Sequence, residues 1–497
     1  MQRKVVVIPL QVLVYCIALV PLQARHEAEL HNIPVPLHVT ARGQDWPCFM
    51  GPTHDGKSRE RNLNKEWGED GPPLVWSLEI GEGYAAPSVA DSRVVMTHRL
   101  DDFEIVDCLE STTGRRVWRH AYRTDITDRY GYGKGPRSTP VIHEGKVYTL
   151  GIQGWLKCLR LDNGDTVWSR NVVDDFGTSP GFFGIGTSPL IDGDYLIVNV
   201  GAADGGSVIA FDKSTGRTAW RCGSNWGASY ASPVPADFGE NHRICVFAGG
   251  DDRPPTGGLL VIDPAKGAVD ARFPFRSSKY ESVNAASPVI VGDRVFISTS
   301  YDTGGVMLAL PELNKASRTT KNADGSVHVE TSGERTMLPV WKSDSLEAHF
   351  GTPILVDGYL YGFDGMSKND TALVCVDAQT GEQKWRKAIE WNETLTQRGK
   401  SVETQMGVMR GSLILADGAF LCLGEQGHLL WLDLSPSGAK VLARSRLFYA
   451  QETWTGPVLS QGLLYVTQNR PDVVHDKPRR LLCYSLRSAK NSRRSRD

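Results

Sequence analysis

The chain has 497 residues, with 55 Lys and Arg against 57 Asp and Glu and a sequence pI of about 6.6. That balance leaves no basic field to neutralise phosphates, so nucleic acid is excluded as an expected partner. With 51 Gly, 27 Pro, 13 Trp and 40% hydrophobic residues, the composition is that of a globular chain leaning toward strands and turns. In chain order, Arg3 and Lys4 precede an apolar run over residues 5–22, and the small residue Ala24 follows. Charge, apolar core and small residue in that order predict an export signal over residues 1–24 and a place in the periplasm or cell envelope. An uncleaved anchor is the alternative, because Leu22-Gln23-Ala24 lacks a small residue at its first position. Contact with a membrane is expected only through this segment, and only if it is uncleaved. Residues 25–71 read as an N-terminal extension. Within it, His26-Glu27-Ala28-Glu29-Leu30-His31 has one residue too many for zinc-protease spacing and reads as a linker.

Residues 72–487 carry an internal repeat. Each unit starts with a small or hydroxyl residue before Pro, then an apolar run, a turn and a second apolar run, as in Ser138-Thr139-Pro140-Val141-Ile142-His143-Glu144-Gly145-Lys146-Val147-Tyr148. The start recurs at Pro87, Pro189, Pro233, Pro288, Pro353 and Pro457, and Leu413 takes the Pro position in a further unit. Eight starts at about 50 residues per unit suit four-stranded propeller blades. The second half of the unit is more specific: Asp212-Lys213-Ser214-Thr215-Gly216-Arg217-Thr218-Ala219-Trp220 matches Asp377-Ala378-Gln379-Thr380-Gly381-Glu382-Gln383-Lys384-Trp385. Gly114 with Trp118 and Gly164 with Trp168 repeat the spacing. Asp bonds the backbone ahead of it, Gly supplies positive φ, and the Trp of the outermost strand packs between blades. Trp76, Trp118, Trp168, Trp220, Trp341 and Trp385 are thus expected to be structural. Blades four and seven show Val269 to Ala271 and Val441 to Ala443 where Trp belongs, which predicts weaker interfaces there. The orphan outer strand at residues 73–80 is expected to close blade eight, since an open edge invites aggregation. The polar stretch from Asn314 to Leu338 reads as a dispensable insertion between the last two strands of blade five. Residues 488–497 form a basic tail.

The Asp-x-x-Thr-Gly-x-x-x-Trp turn and the hydroxyl-Pro start resemble the pyrroloquinoline-quinone-like repeat family, shared by quinoprotein alcohol dehydrogenases and the propeller subunit of the outer-membrane β-barrel assembly machinery. The opening Asp45-Trp46-Pro47-Cys48-Phe49-Met50-Gly51-Pro52, with Asp55-Gly56, is similar to that of exported bacterial members with no settled activity. The resemblance implies an all-β, eight-bladed propeller, and its fold hosts both enzymes and scaffolds. Its enzyme members imply a quinone held over the channel by calcium, a catalytic Asp and, in methanol-oxidising members, adjacent cysteines. This chain has no Cys-Cys pair and no Cys-x-x-Cys-His haem site. Asp251-Asp252 and Asp302 are the oxygen-rich stretches that could meet a hard cation, though solvated surface carboxylates are the ordinary outcome. Cys108, Cys158 and Cys375 each lie six residues before their turn Gly and Cys483 near the same place, with Ala210 in that slot in blade three. Equivalent positions on different blades lie too far apart to bridge, so these read as core residues. Cys48, Cys222, Cys245 and Cys422 are left unassigned.

The loops leading into each first strand should meet at the channel mouth. Three residues before each strand start stand Tyr84, Arg137, Gly186, Tyr230, Ala285, Phe350, Arg410 and Trp454, with Trp226, Tyr280, Glu281, Asn284, His349, Gln405 and Glu452 nearby. Arg137, Arg410, Tyr230, Trp226, Trp454, His349 and Asn284 are the candidate ligand-binding residues, suited to an acidic or planar ligand or an extended peptide; the alternative is that the aromatics merely plug the channel. Gly177-Thr178-Ser179-Pro180-Gly181 fits the nucleophile-elbow pattern but offers no following helix, so no catalytic residue is assigned. The sequence therefore predicts an exported, monomeric, non-catalytic binding or assembly platform with a protein or peptide partner, no metal and no cofactor. A quinoprotein alcohol or sugar dehydrogenase using pyrroloquinoline quinone with calcium, and a carbohydrate-binding propeller, are the alternatives.

Overall fold

The computed structural model describes residues 27–38, 41–126, 130–223, 226–250, 254–311, 318–321, 327–330, 335–367, 370–397 and 399–488. The export segment, Asp251-Asp252 and nearly all of the basic tail lie outside these residues. Eight four-stranded antiparallel sheets form a β-propeller. Seven first strands begin directly after their Pro: Ser88–Ala90, Val141–His143, Leu190–Asp192, Val234–Phe238, Val289–Val291, Ile354–Val356 and Val458–Ser460. Blade seven opens with Ser412–Ala416, which contains Leu413. Proline suits the first position of this innermost edge strand, where no ladder donor is needed. The residue before Pro has its own task. Thr139 N donates to Ser188 Oγ at 3.0 Å, Ser188 N to Ser232 Oγ at 3.1 Å, Ser232 N to Ser287 Oγ at 3.0 Å and Ser287 N to Thr352 Oγ1 at 3.0 Å. The hydroxyl-Pro motif is thus a relay that ties blade to blade around the channel from blade two to blade six.

The outer halves follow the turn motif. Asp212 Oδ1 accepts from Ser214 N at 3.0 Å and Thr215 N at 2.8 Å, and Gly216 closes the hairpin at φ 72°. A Cβ on Gly216 would lie 2.7 Å from the Trp168 ring of the preceding blade. The glycine therefore makes the turn and also seats the neighbour's indole. Nε1 of Trp76, Trp118, Trp168, Trp341 and Trp385 donates to a carbonyl on the next blade, that of Ser111, Leu161, Lys213, Ala378 and Ser435 respectively. Trp76, Trp118, Trp168 and Trp220 are buried, while Trp341 and Trp385 are half-buried. Each Trp faces a small or slender residue on the third strand: Cys108 opposite Trp118, Cys158 opposite Trp168, Ala210 opposite Trp220, Met307 opposite Trp341, Cys375 opposite Trp385 and Cys483 opposite Trp76. These cysteines, with Cys48, Cys222, Cys245 and Cys422, are free and buried.

Leu74–Glu79 pairs with Arg480–Ser485 and closes blade eight as expected. The linker reading of the preceding residues is corrected, because Glu29–Leu30 adds a fifth strand outside Leu74–Glu79. In blades four and seven other residues stand where the indole is missing. In blade seven Trp431, from the third strand, is fully buried opposite Ala443, and Trp67 lies 6.2 Å from it. In blade four the insertion from blade five runs alongside: Arg335 and Thr336 pair in parallel with Ala271 and Arg272, and buried Met337 joins the core beside Ala271. Val327–Glu330 continues to the outer strand of blade three. The insertion is therefore a strap across blades rather than an idle loop tip. A hairpin of Glu390–Gln397 and Lys400–Gly407 stands between blades six and seven. The extension seals the floor of the channel: Trp46 and Val89 exchange hydrogen bonds at 2.8 Å, Ile142 N donates to Pro47 O, and Leu415 N to Gly56 O. Among the described residues no helix is long and apolar enough to cross a membrane.

Candidate functional site

The opposite face carries the loops leading into the first strands and those joining second to third strands. There the rim residues meet. Tyr84 stacks on Trp454 with ring centres 5.4 Å apart, and Phe350 lies 5.5 Å from Trp454. The Arg410 guanidinium stands 4.9 Å over Trp454, and that of Arg137 5.5 Å over Tyr84, so both arginines flank one stack on one face. A Cβ on Gly186 would touch the Tyr230 ring and the Arg137 side chain. Burial pushes the Tyr84 phenol up to about 12. His349 Nε2 lies 3.0 Å from Tyr301 Oη, and burial, aided by the Arg410 charge, lowers its pKa to about 4, so it is neutral at physiological pH.

Two predicted members stand apart. Asn284 is fully buried, its Nδ2 donating to Ala248 O at 2.9 Å and its main-chain carbonyl accepting from Tyr230 N, so it braces a loop. Trp226 lies to the side, in a cleft between blades three and four, with the Arg272 guanidinium 6.0 Å over its ring. Asp302 is an exposed carboxylate paired with Lys279. Other residues of the layer escaped sequence reasoning. Phe182, Phe183, Tyr130 and Tyr132 extend it: Phe183 packs 5.7 Å from Tyr230 and 5.6 Å from Tyr132, and Tyr132 5.6 Å from Trp454. Their signal was aromatics interleaved with Gly in two long lead-in loops, Tyr130-Gly131-Tyr132-Gly133 and Phe182-Phe183-Gly184. Glu425, between Gly424 and Gln426 in a second-to-third-strand turn, is buried and bonds Arg410 Nε at 3.0 Å, Arg410 Nη2 at 2.5 Å and Trp454 Nε1 at 3.0 Å. Glu452 pairs with Arg470.

This arrangement bears on the quinone. Arg137 already donates to the carbonyls of Gly133, Gly135 and Phe183, and Arg410 to Glu425 and Met366 O. Between the aromatic mouth and the floor segment there remains a space of about 80 Å³, bounded by Phe49, Met50, Phe350 and Trp454 among others. Cofactor sites are commonly about 300 Å³ or more. Among the described residues no group of three His, Cys, Asp or Glu side chains is placed to hold a metal ion. As they stand, these residues do not fit a planar quinone tricarboxylate with its calcium.

Comparison with known proteins agrees with the repeat. The family model described as outer membrane protein assembly factor BamB matches residues 102–387, more than half of the chain. The chain belongs to this family. A quinohemoprotein alcohol dehydrogenase of Pseudomonas putida is 29% identical over 157 residues, covering 30% of this chain and 21% of that protein. A 1-butanol dehydrogenase (cytochrome c) of Thauera butanivorans is 30% identical over 148 residues, 28% of this chain and 20% of its own. The matches thus span about a fifth of these relatives. Among solved structures, quinohemoprotein alcohol dehydrogenase from Comamonas testosteroni superposes with TM-score 0.57 at 14% identity, over 90% of this chain and 81% of that one. BamB from Moraxella catarrhalis does so with TM-score 0.50 at 14% identity, over 84% and 98%. At these identities the likeness is one of fold.

Proposed function

We propose that this protein is an exported, non-catalytic binding and assembly platform, acting as a monomer through the aromatic face of its propeller on a protein or peptide partner of the cell envelope, without a cofactor. The observation that carries the reading is the channel: residues 46–56 close its floor, a continuous aromatic layer fills its mouth, and the rim charges are already paired. What such a propeller offers is a surface rather than a chamber. Tyr130 and Tyr132 present that surface, being 47% and 37% exposed. Large aromatics held rigid by neighbours are the side chains that anchor protein interfaces. The family description, an outer membrane protein assembly factor, supports the envelope and the assembly role. The test is a photo-crosslinker at Tyr132 in living cells beside a titration of the purified protein with pyrroloquinoline quinone and calcium. A discrete envelope-protein adduct and no quinone uptake are expected. Saturable quinone binding with alcohol oxidation would overturn the platform in favour of the dehydrogenase that the two sequence relatives suggest.

A further inference from the structure

Beside the rim lies a cleft of about 340 Å³ between blades three and four, and beyond Pro180 a second of about 270 Å³ toward blade two. Pro180 borders both, so the two clefts are neighbours on either side of it. Trp226 walls the first and Trp155 the second, and both are half-buried. A cation steadies each indole: Arg272 lies 6.0 Å over Trp226, and Lys157 Nζ 4.9 Å over Trp155. We infer that the two clefts together bind a neutral oligosaccharide, one sugar ring stacking on Trp226 and the chain continuing over Pro180 toward Trp155.

The walls argue for the class. Apart from its indole and the Tyr230 phenol, the first cleft is lined by Gly, Ala, Ser, Ile and Pro, and none of its described lining residues carries Asp, Glu, Lys, Arg or His. None of these lining residues supplies a counter-ion for a phosphate or carboxylate, and the cations nearby are already engaged, Arg272 over the Trp226 ring and Arg276 with the Gly250 and Ser282 carbonyls. Residues with little or no side chain bring the main chain to the surface, so the wall is polar and uncharged, which matches hydroxyl groups. Packing accounts for this: a Cβ at Gly201 would meet Ala228 N at 2.2 Å, so loop lies directly on loop. Two buried polar atoms without a partner stand immediately behind the lining, Thr178 Oγ1 between lining residues Gly177 and Ser179, and Asn199 Nδ2, whose carbonyl oxygen accepts from lining residue Ser229. Buried groups left unpaired are unusual and mark places where a ligand or water completes the bonding. An extended peptide would need a strand edge to pair with, whereas these walls are loops with positive φ at Gly177, Gly181, Gly201 and Gly205. A sugar needs only an aromatic plate for its apolar face and scattered polar groups for its rim.

The test uses the full chain and titrates an N-acetylglucosamine hexamer, its dimer and a neutral tetra-alanine peptide by tryptophan fluorescence and calorimetry. The expected result is saturable binding of the hexamer, weakened at least about tenfold by Trp226→Ala and by Ser179→Trp, the latter filling the cleft from an exposed position. Trp155→Ala should remove the preference for hexamer over dimer and leave dimer binding intact. Unchanged melting and circular dichroism separate lost binding from lost fold. No saccharide binding up to roughly 10 mM, binding indifferent to Trp226→Ala and Ser179→Trp, or binding of the peptide in place of the sugar would each overturn the inference. It does not rest on the protein-partner reading, since the Tyr132 crosslink reports on that surface separately.

Discussion

Replacing Ser232 by Ala tests the hydroxyl relay directly. Ser232 Oγ accepts from Ser188 N at 3.1 Å, and Ser188 and Ser232 are 3% and 6% exposed, so water cannot substitute for the lost acceptor. An orphaned buried donor costs about 1 to 3 kcal/mol. Spread over an unfolding entropy of roughly 2 cal/mol/K per residue for a propeller of this length, about 2 kcal/mol lowers Tm by about 2 to 3 °C. Ser232→Thr should be near neutral, because Thr139 and Thr352 occupy the equivalent place in blades two and six, and Thr352 accepts the same bond. The pair Ser188→Ala and Ser232→Ala orphans two amides, Thr139 N and Ser188 N, so it should cost more than either single variant, and its departure from their sum measures the coupling along the relay. Calorimetry supplies Tm, and hydrogen exchange of the peptide holding Ser188 should show faster exchange in Ser232→Ala alone. If Ser232→Thr destabilises as much as Ser232→Ala, packing rather than the hydroxyl holds these strands and the relay is wrong.

Trp118→Ala should cost about 3 to 5 kcal/mol, because it removes a buried ring seated on Gly164 and a 2.8 Å bond to Leu161 O; Trp385→Ala should cost less, its ring being half-exposed, and equal losses in denaturant titrations would refute the difference. Replacing residues 312–336 with a short Gly-Ser turn should lower stability measurably, since the strap covers the outer strand of blade four; an unchanged melting curve would return it to a dispensable loop. His242 lies 2.6 Å from Asp237 and 2.8 Å from Asp192, one carboxylate on each ring nitrogen; burial opposes its charge, but the two carboxylates outweigh that and raise its pKa above 6.5. Its contribution is therefore fully present below the unfolded pKa of about 6.5 and is lost as pH rises through the folded value. The Tm gap between wild type and His242→Asn should be widest in mild acid and vanish in mild alkali, and a gap that grows with pH would refute the bridge.

What the sequence made legible was whatever repeats. Pro140 and Trp118 recur at fixed offsets because every blade poses the same problem of an inner edge and an outer seam. Cys158 was readable as a core residue because it holds the same offset from its turn Gly as Cys108 and Cys375, and the structure puts each of them opposite its blade's indole. The compensations were not legible, because each is unique. Nothing local to Trp431 says that it will stand in for the missing indole of blade seven, or that Met337, at the end of an insertion from blade five, will fill the gap by Ala271. The rim was half legible for the same reason. Fixed offsets found Tyr84, Phe350 and Trp454, whereas Phe183 and Glu425 reach the layer from loops of different length, where no register carries over. Trp226 was drawn into the rim by its nearness in sequence to Tyr230, but it faces the side cleft instead.

The two rim arginines looked from sequence like anchors for a ligand, and the structure gives them another use that can be tested. Arg410 is the cation that faces Glu425, a carboxylate with 1% exposed side chain, and it lies over Trp454 as well. Removing Arg410 would leave Glu425 charged and buried with only the Trp454 indole and the Arg410 backbone as donors. Breaking a buried pair from one side costs about 3 to 5 kcal/mol, so Arg410→Ala should destabilise the protein and loosen the Trp454 stack. Arg410→Met with Glu425→Gln should recover much of the loss, since the unpaired charge is then gone. A partner held by such a layer meets aromatic surface and few free charges, so its affinity should change little between low and physiological salt. The contrary outcome is specific: Arg410→Ala that melts like wild type while abolishing a salt-sensitive partner would make Arg410 a recognition residue and the aromatic layer its support.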